Sequence, residues 1–302
     1  MKENILIIGT GAMGTLFAAR LTQAEYHVTM LGTWQEGLDA LRSNGVRLID
    51  ANGNEHQFKV QVANDPRECM GAKYAVVLVK AWQTERVAQE LAECLADDGL
   101  ALTLQNGLGN YEMLTQSLGL NRVALGSTTT GATLLGPGLV RAGGEGIISL
   151  GLNQALGPLE AALKSAKFNV QVVENPQALI WGKLVVNAAI NPLTALLKVP
   201  NGELLERPSA RAMLGALASE AANVAIAENI DLPFDDPVAA VEEVARKTAA
   251  NHSSMLQDVL RGAPTEIDAI CGAIVKTAQK HHMRAPANWM CWQLVKALIK
   301  SG

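Results

Sequence analysis

Charge of one sign never accumulates in this chain: 25 Lys and Arg stand against 29 Asp and Glu for a formal net charge of -4, without a run of five or six like charges. That excludes the basic footprint of a nucleic-acid binder and makes small molecules the partners to expect. Cysteine is scarce too, with Cys69, Cys94, Cys271 and Cys291 spread over 302 positions, no C-x-x-C pair and no histidines at zinc-ligand spacing. The pattern predicts no bound metal and no disulfide framework, only reduced thiols in a cytoplasmic protein. No leader is expected: after Met1-Lys2-Glu3-Asn4 the apolar stretch is five residues long before Thr10 and Gly11, too short for a signal peptide. One segment alone, 178–197, has the length of a membrane span. It carries Lys183, Asn187, Asn191 and Pro192, and a central lysine costs roughly 2.5–3.5 kcal/mol on insertion scales. The segment therefore reads as a buried helix with one polar stripe, and no membrane is expected as a partner.

What is present is a chain rich enough in apolar residues (49%, against 18% charged) to pack a core, and at 302 residues long enough for two domains. Asn4-Ile5-Leu6-Ile7-Ile8 is a continuously apolar, β-branched run, as expected of a parallel strand covered on both faces. It enters Gly9-Thr10-Gly11-Ala12-Met13-Gly14, after which Leu16, Phe17, Ala19 and Leu21 continue at helical spacing. Strand, glycine turn, helix is the order the dinucleotide fingerprint requires. Its first glycine permits the tight turn, the second lets backbone approach a pyrophosphate, and the third allows close helix packing. The phosphates then meet free N–H groups and the positive end of the helix dipole.

The second strand, His27 to Leu31, runs into Gly32-Thr33-Trp34. It offers neither the acid that bonds a ribose hydroxyl in NAD sites nor an arginine for the extra phosphate of NADP; Trp34 either covers an adenine or packs. Val46 to Asp50, Asn52-Gly53 and His56 to Val62 predict a hairpin in the same sheet beside the nucleotide site. Two further strands end at Lys80-Ala81-Trp82-Gln83 and at Gln105-Asn106-Gly107. Ligands of open α/β sheets bind beyond the strands' carboxyl ends. Lys80 and Asn106 are thus placed for a shared cleft, although a lone strand-end lysine is usually solvated.

From Glu174-Asn175-Pro176 onward the composition turns Ala- and Leu-rich, which puts a domain boundary at 176: a dinucleotide-binding domain over 1–176 and a helical domain over 177–302. Lys183, Asn187 and Asn191, each four apart, share one helix face. Such a stripe faces solvent, the other domain or a site; asparagine in place of Glu, Lys and Arg favours a site. Helices are predicted over about 209–229 and 237–252, and Thr265-Glu266-Ile267-Asp268 has the form of a capping box opening another.

Taken together, Gly9 to Gly14, Val79 to Gln83, Asn106-Gly107, Thr128-Thr129-Thr130, Lys183 with Asn187 and Asn191 to Thr194, Pro200 to Glu203, and Ser253 to Asp258 followed by Glu266-Ile267-Asp268 resemble the ketopantoate reductase (2-dehydropantoate 2-reductase) family over the whole chain. The resemblance implies an α/β fold with an N-terminal Rossmann-type doubly wound sheet and an all-helical C-terminal domain like that of 6-phosphogluconate dehydrogenase. It implies reduction of ketopantoate to pantoate by NADPH, with Lys183 as proton donor and Asn106, Asn187, Asn191, Asn201 and Ser254 on the substrate. Gly9, Thr10, Gly11, Ala12, Met13, Gly14, Lys80, Asn106, Ala132 and Glu266 would hold the cofactor. Thr33 stands near where the family carries an arginine for NADP, which leaves NAD open; the small-molecule substrate is the partner implied, and a homodimer is admitted. Another branched 2-keto acid, or a redox sensor that binds without turnover, are the competing readings.

Overall fold

The computed structural model describes residues 4–298 and divides into two compact units, Met1–Gln105 with Asn110–Pro176, and Asn106–Gly109 with Gln177–Gly302. The first unit runs β1 (Asn4–Ile8), α1 (Ala12–Gln23), β2 (His27–Leu31), α2 (Gln35–Asn44), β3 (Val46–Ile49), β4 (Glu55–Phe58), β5 (Gln61–Ala63), β6 (Ala72–Val77), α3 (Thr84–Cys94), β7 (Leu95–Thr103), α4 (Asn110–Leu118), β8 (Val123–Thr128), β9 (Ala132–Gly136), β10 (Leu139–Ala142), β11 (Ile147–Gly151), α5 (Gly157–Ser165) and β12 (Asn169–Val173). The second runs α6 (Pro176–Leu197), α7 (Glu203–Glu206), α8 (Pro208–Ala227), α9 (Pro237–Lys247), α10 (Ser254–Leu260), α11 (Cys271–Lys280) and α12 (Pro286–Leu298).

An eight-stranded sheet in the order β12-β11-β8-β7-β6-β1-β2-β5 forms the first unit, parallel except where β11 meets β8. The chain builds outward from β1 to β2 on one side and from β6 to β7 on the other, so the strand order reverses between β1 and β6. A reversal of this kind opens a crevice at the carboxyl ends. Both faces of β1 are covered, which is why it is apolar without alternation: Ile5 and Ile7 join the core beneath Leu16 and Phe17 of α1, while Leu6 and Ile8 join the one under Val87 and Leu91 of α3. Fully burying each such side chain is worth about 1.5–3 kcal/mol.

The hairpin predicted from Val46 onward forms between β3 and β4, but it does not lie in the main sheet. It belongs to a separate four-stranded sheet, β4-β3-β10-β9, and the residues expected to prolong its second strand instead form β5 at the main sheet's edge. Two helix expectations also change: the helix from Pro237 stops at Lys247, and no helix starts at Thr265. The Thr265 hydroxyl is buried without a hydrogen bond, residues 266–270 form a turn, and α11 begins at Cys271.

In the second unit α6 packs Trp181, Leu184, Val185 and Ala188 against Leu214, Leu217 and Ala218 of α8 and Ile274 of α11. It is the one described helix long and apolar enough to cross a membrane (mean hydropathy 1.3), and 67% of that window is buried, as in a core helix. Pro192 lies inside it and has no N–H to give the Ala188 carbonyl four residues back. The buried Cys271 thiol donates to that carbonyl instead, at 3.8 Å.

Candidate active site

In the first unit the glycine turn is built for backbone approach. A Cβ on Gly14 would lie 2.0 Å from the Gly9 carbonyl oxygen, and one on Gly9, whose φ is +115°, would lie 3.1 Å from Val79 Cγ1. These two glycines let α1, β1 and the end of β6 close on one another. Gly11 is different: nothing lies within 4 Å of where its Cβ would be. It is the N-cap of α1, no side chain caps the helix, and the first turn carries no acid, so its N–H groups are unclaimed by any side chain. Donors facing open space at a helix N-terminus fit a pyrophosphate. Gly32, ending β2, abuts Thr10, and Lys80 follows Val79 as a half-buried residue, so Gly9 to Gly14 and Lys80 share the carboxyl edge of β1 and β6. Ala132 opens β9 in the four-stranded sheet and packs on the core that contains Leu16 and Phe17. Trp34 lies across the first turn of α2, where a Cβ on Gly37 would be 2.4 Å from its ring, and 37% of the residue is exposed.

Asn106 belongs to the second unit with Gly107 to Gly109, although Gln105 and Asn110, which flank that segment, belong to the first. Gly107, with φ +82°, sits where a Cβ would fall 2.5 Å from the Ala269 carbonyl oxygen, and the Leu108 N–H donates to that same oxygen at 3.0 Å. So held, Asn106 donates through Nδ2 to Glu266 Oε2 at 3.1 Å, and Glu266 is only 6% exposed. The Glu266 carboxylate in turn acts on Lys183. Burial lowers the Lys183 pKa from its ordinary value to about 8, and the charge of Glu266 opposes that fall. Cation, carboxylate and amide thus meet in one unit, brought together from α6, the turn before α11 and the segment 106–109. Beside Lys183, Gly182 lets α6 pack closely on Pro233, since a Cβ there would lie 2.7 Å from its ring.

Along α6 the stripe deepens: Lys183 and Asn187 are half-buried and Asn191 is 6% exposed. Asn201, 7% exposed, donates through Nδ2 to the Thr248 hydroxyl at 2.9 Å. That hydroxyl donates its own proton to the Val244 carbonyl, so it can only accept from Asn201, which fixes the amide's orientation. Asn201 Oδ1 is left buried without a partner, an acceptor that a ligand hydroxyl could satisfy. Ser254 is exposed at the start of α10, whereas Ser253 is buried, caps that helix through Leu256 N–H at 3.1 Å and meets Thr194 Oγ at 2.7 Å. Sequence reasoning gave Ser253 and Thr194 no role of their own and passed over Thr248; Ser253 before an apolar run has the form of an N-cap, a signal that could have found it.

A doubly wound sheet with a dinucleotide turn at its switch point, and a helical unit in which a half-buried lysine meets a carboxylate and an amide, define a nicotinamide-dependent oxidoreductase. The chain belongs to the ketopantoate reductase family. The family description "Ketopantoate reductase PanE/ApbA" matches residues 5–155 and its C-terminal counterpart residues 175–299. A 2-dehydropantoate 2-reductase of Halobacterium salinarum is 34% identical, covering 99% of this chain and 100% of the relative's. That of Archaeoglobus fulgidus is 36% identical, covering 99% of each. Among solved structures, a D-mandelate dehydrogenase with NADH and anilino(oxo)acetate superposes with a TM-score of 0.91 at 28% identity over 98% of both chains.

Proposed function

We propose that this protein reduces the 2-keto group of 2-dehydropantoate to give pantoate, with NADPH as hydride donor, as a cytoplasmic step toward pantothenate and coenzyme A. The observation that carries the reading is that Lys183, Glu266 and Asn106 come together in one unit, with the Asn106 amide on the Glu266 carboxylate, beside an α6 stripe of amides suited to carboxylate, keto and hydroxyl oxygens. A bound reduced nicotinamide supplies the hydride. Lys183 donates a hydrogen bond to the keto oxygen, stabilises the charge that develops there and gives up its proton. Asn187, Asn191 and Asn201 orient the substrate's oxygens, with Ser254 at the start of α10 as a further contact. The same reading assigns Lys80, Ala132 and Glu266 to the cofactor. A sensor without turnover has no use for the proton donor. The mandelate dehydrogenase neighbour supports a second reading, reduction of another 2-keto acid on the same fold.

The lysine must be protonated to act, and the protonated fraction is lost as pH rises through about 8. At saturating cofactor, kcat for reduction is therefore flat below that pH and falls about tenfold per pH unit above it. Because Glu266 raises the lysine's pKa, Glu266→Gln shifts the alkaline limb to lower pH; a limb that stays in place or moves up would remove Glu266 as the lysine's partner. Cofactor choice is expected to be shallow. Thr33 is exposed at the end of β2, Arg42 is engaged with Asp39 and Asn64, and Glu36 lies in the first turn of α2. NADPH should be preferred over NADH in kcat/KM, but less than in a relative with arginine at the end of β2; equal or better kcat/KM with NADH contradicts the preference.

A further inference from the structure

Beyond the strand ends of β6 and β7 runs a chain of polar side chains, buried except for the half-buried Gln105, that the catalytic account leaves unused. Gln105 Nε2 donates to the Val79 carbonyl at 3.1 Å and to Thr84 Oγ at 2.8 Å, and Thr103 Oγ donates to Gln105 Oε1 at 3.0 Å. Thr84 Oγ donates onward to Asn110 Oδ1 at 2.8 Å. The direction of the chain is forced. The Val79 carbonyl can only accept, so the amide nitrogen must face it; Gln105 Oε1 must then face Thr103, and Thr84, accepting from Gln105, has its one proton for Asn110. Thr84, Thr103 and Asn110 are 0%, 2% and 4% exposed and Gln105 is half-buried, so the Thr84–Asn110 link lies out of reach of water.

Two members of this chain adjoin a residue of the site, and a third adjoins the segment that carries one. Val79 precedes Lys80, Gln105 precedes Asn106, and Asn110 follows Gly109, where the segment that joins the second unit ends. We propose that Gln105 and Thr84 are positioning residues: their hydrogen bonds fix the chain on both sides of residues 106–109 and tie it to the strand end that presents Lys80. The proposal rests on the reading of the protein as a nicotinamide-dependent reductase. Reacting groups misplaced by an ångström can lose about a hundredfold in rate, so a link that sets the position of two site residues is expected to show in both binding and turnover.

The test is Thr84→Val, which keeps the side chain's shape and removes its hydroxyl, beside Thr84→Ser, which keeps the hydroxyl. NADPH dissociation constants by fluorescence, steady-state kinetics at a temperature well below melting, and thermal melts are measured for both. Thr84→Val should weaken NADPH binding or lower kcat by roughly 10- to 100-fold, with Thr84→Ser close to the parent. A Thr84→Val protein that melts earlier yet keeps its affinity and kcat would overturn the proposal, leaving the chain a structural one. If Thr84→Val yields no folded protein, Gln105→Met carries the same test with the same two outcomes. Failure of the parent protein to reduce any 2-keto acid would overturn the functional reading alone, because the NADPH affinities still test the positioning network.

Discussion

Replacing Lys183 with alanine should lower kcat by roughly 10² to 10⁴, the usual range for loss of a positioned general acid. NADPH affinity should hardly change, since the glycine turn proposed to receive the cofactor's phosphates lies on β1 and α1. The variant should also fold. Glu266 keeps its hydrogen bond from Asn106, and the amine it loses is one that burial already disfavours as a cation. Kinetics, NADPH binding by fluorescence and a thermal melt decide the matter together. A folded Lys183→Ala protein with near-normal kcat would end the proton-donor assignment.

The second large effect separates glycines that fold the turn from the one that serves the ligand. Gly14→Ala places a Cβ 2.0 Å from the Gly9 carbonyl oxygen, a clash with backbone that no rotamer relieves. Overpacking of this sort costs about 1–3 kcal/mol or more, which in a domain of this size lowers Tm by several degrees, roughly 2–4 °C per kcal/mol. NADPH binding should be lost with the turn. Gly11→Ala meets nothing within 4 Å, so its stability should stay within about 0.5 kcal/mol of the parent, as for surface changes, while its NADPH affinity falls. Equal affinity in Gly11→Ala and the parent would show that the open space over α1 does not receive the cofactor's phosphates.

Much of this site could be read along the chain because it depends on local order. The apolar run of β1, the glycines and the start of α1 are consecutive, and Lys183, Asn187 and Asn191 share a helix face by spacing alone. What escaped reading depends on partners distant in sequence. The hairpin's strands were recognisable, but β3 pairs with β10 from much later in the chain, and no local periodicity says which sheet a strand joins. Thr265 to Asp268 has the composition of a capping box, yet Glu266 turns to Asn106, 160 residues away, and the helix waits until Cys271. Asn106 to Gly109 reads as an ordinary turn; its membership of the second unit is fixed by Leu108 and Gly107 against Ala269. Thr84 and Gln105 looked unremarkable because hydrogen bonds between side chains of different elements leave no periodic trace.

The central claim, that this family member reduces 2-dehydropantoate with NADPH, is tested most directly by following NADPH absorbance as 2-dehydropantoate and a panel of other 2-keto acids are added in turn. The account predicts NADPH consumption with 2-dehydropantoate at a higher kcat/KM than with any other acid of the panel. Steady absorbance with every acid, or a clear preference for an acid without the hydroxyl that would meet Asn201, would contradict it.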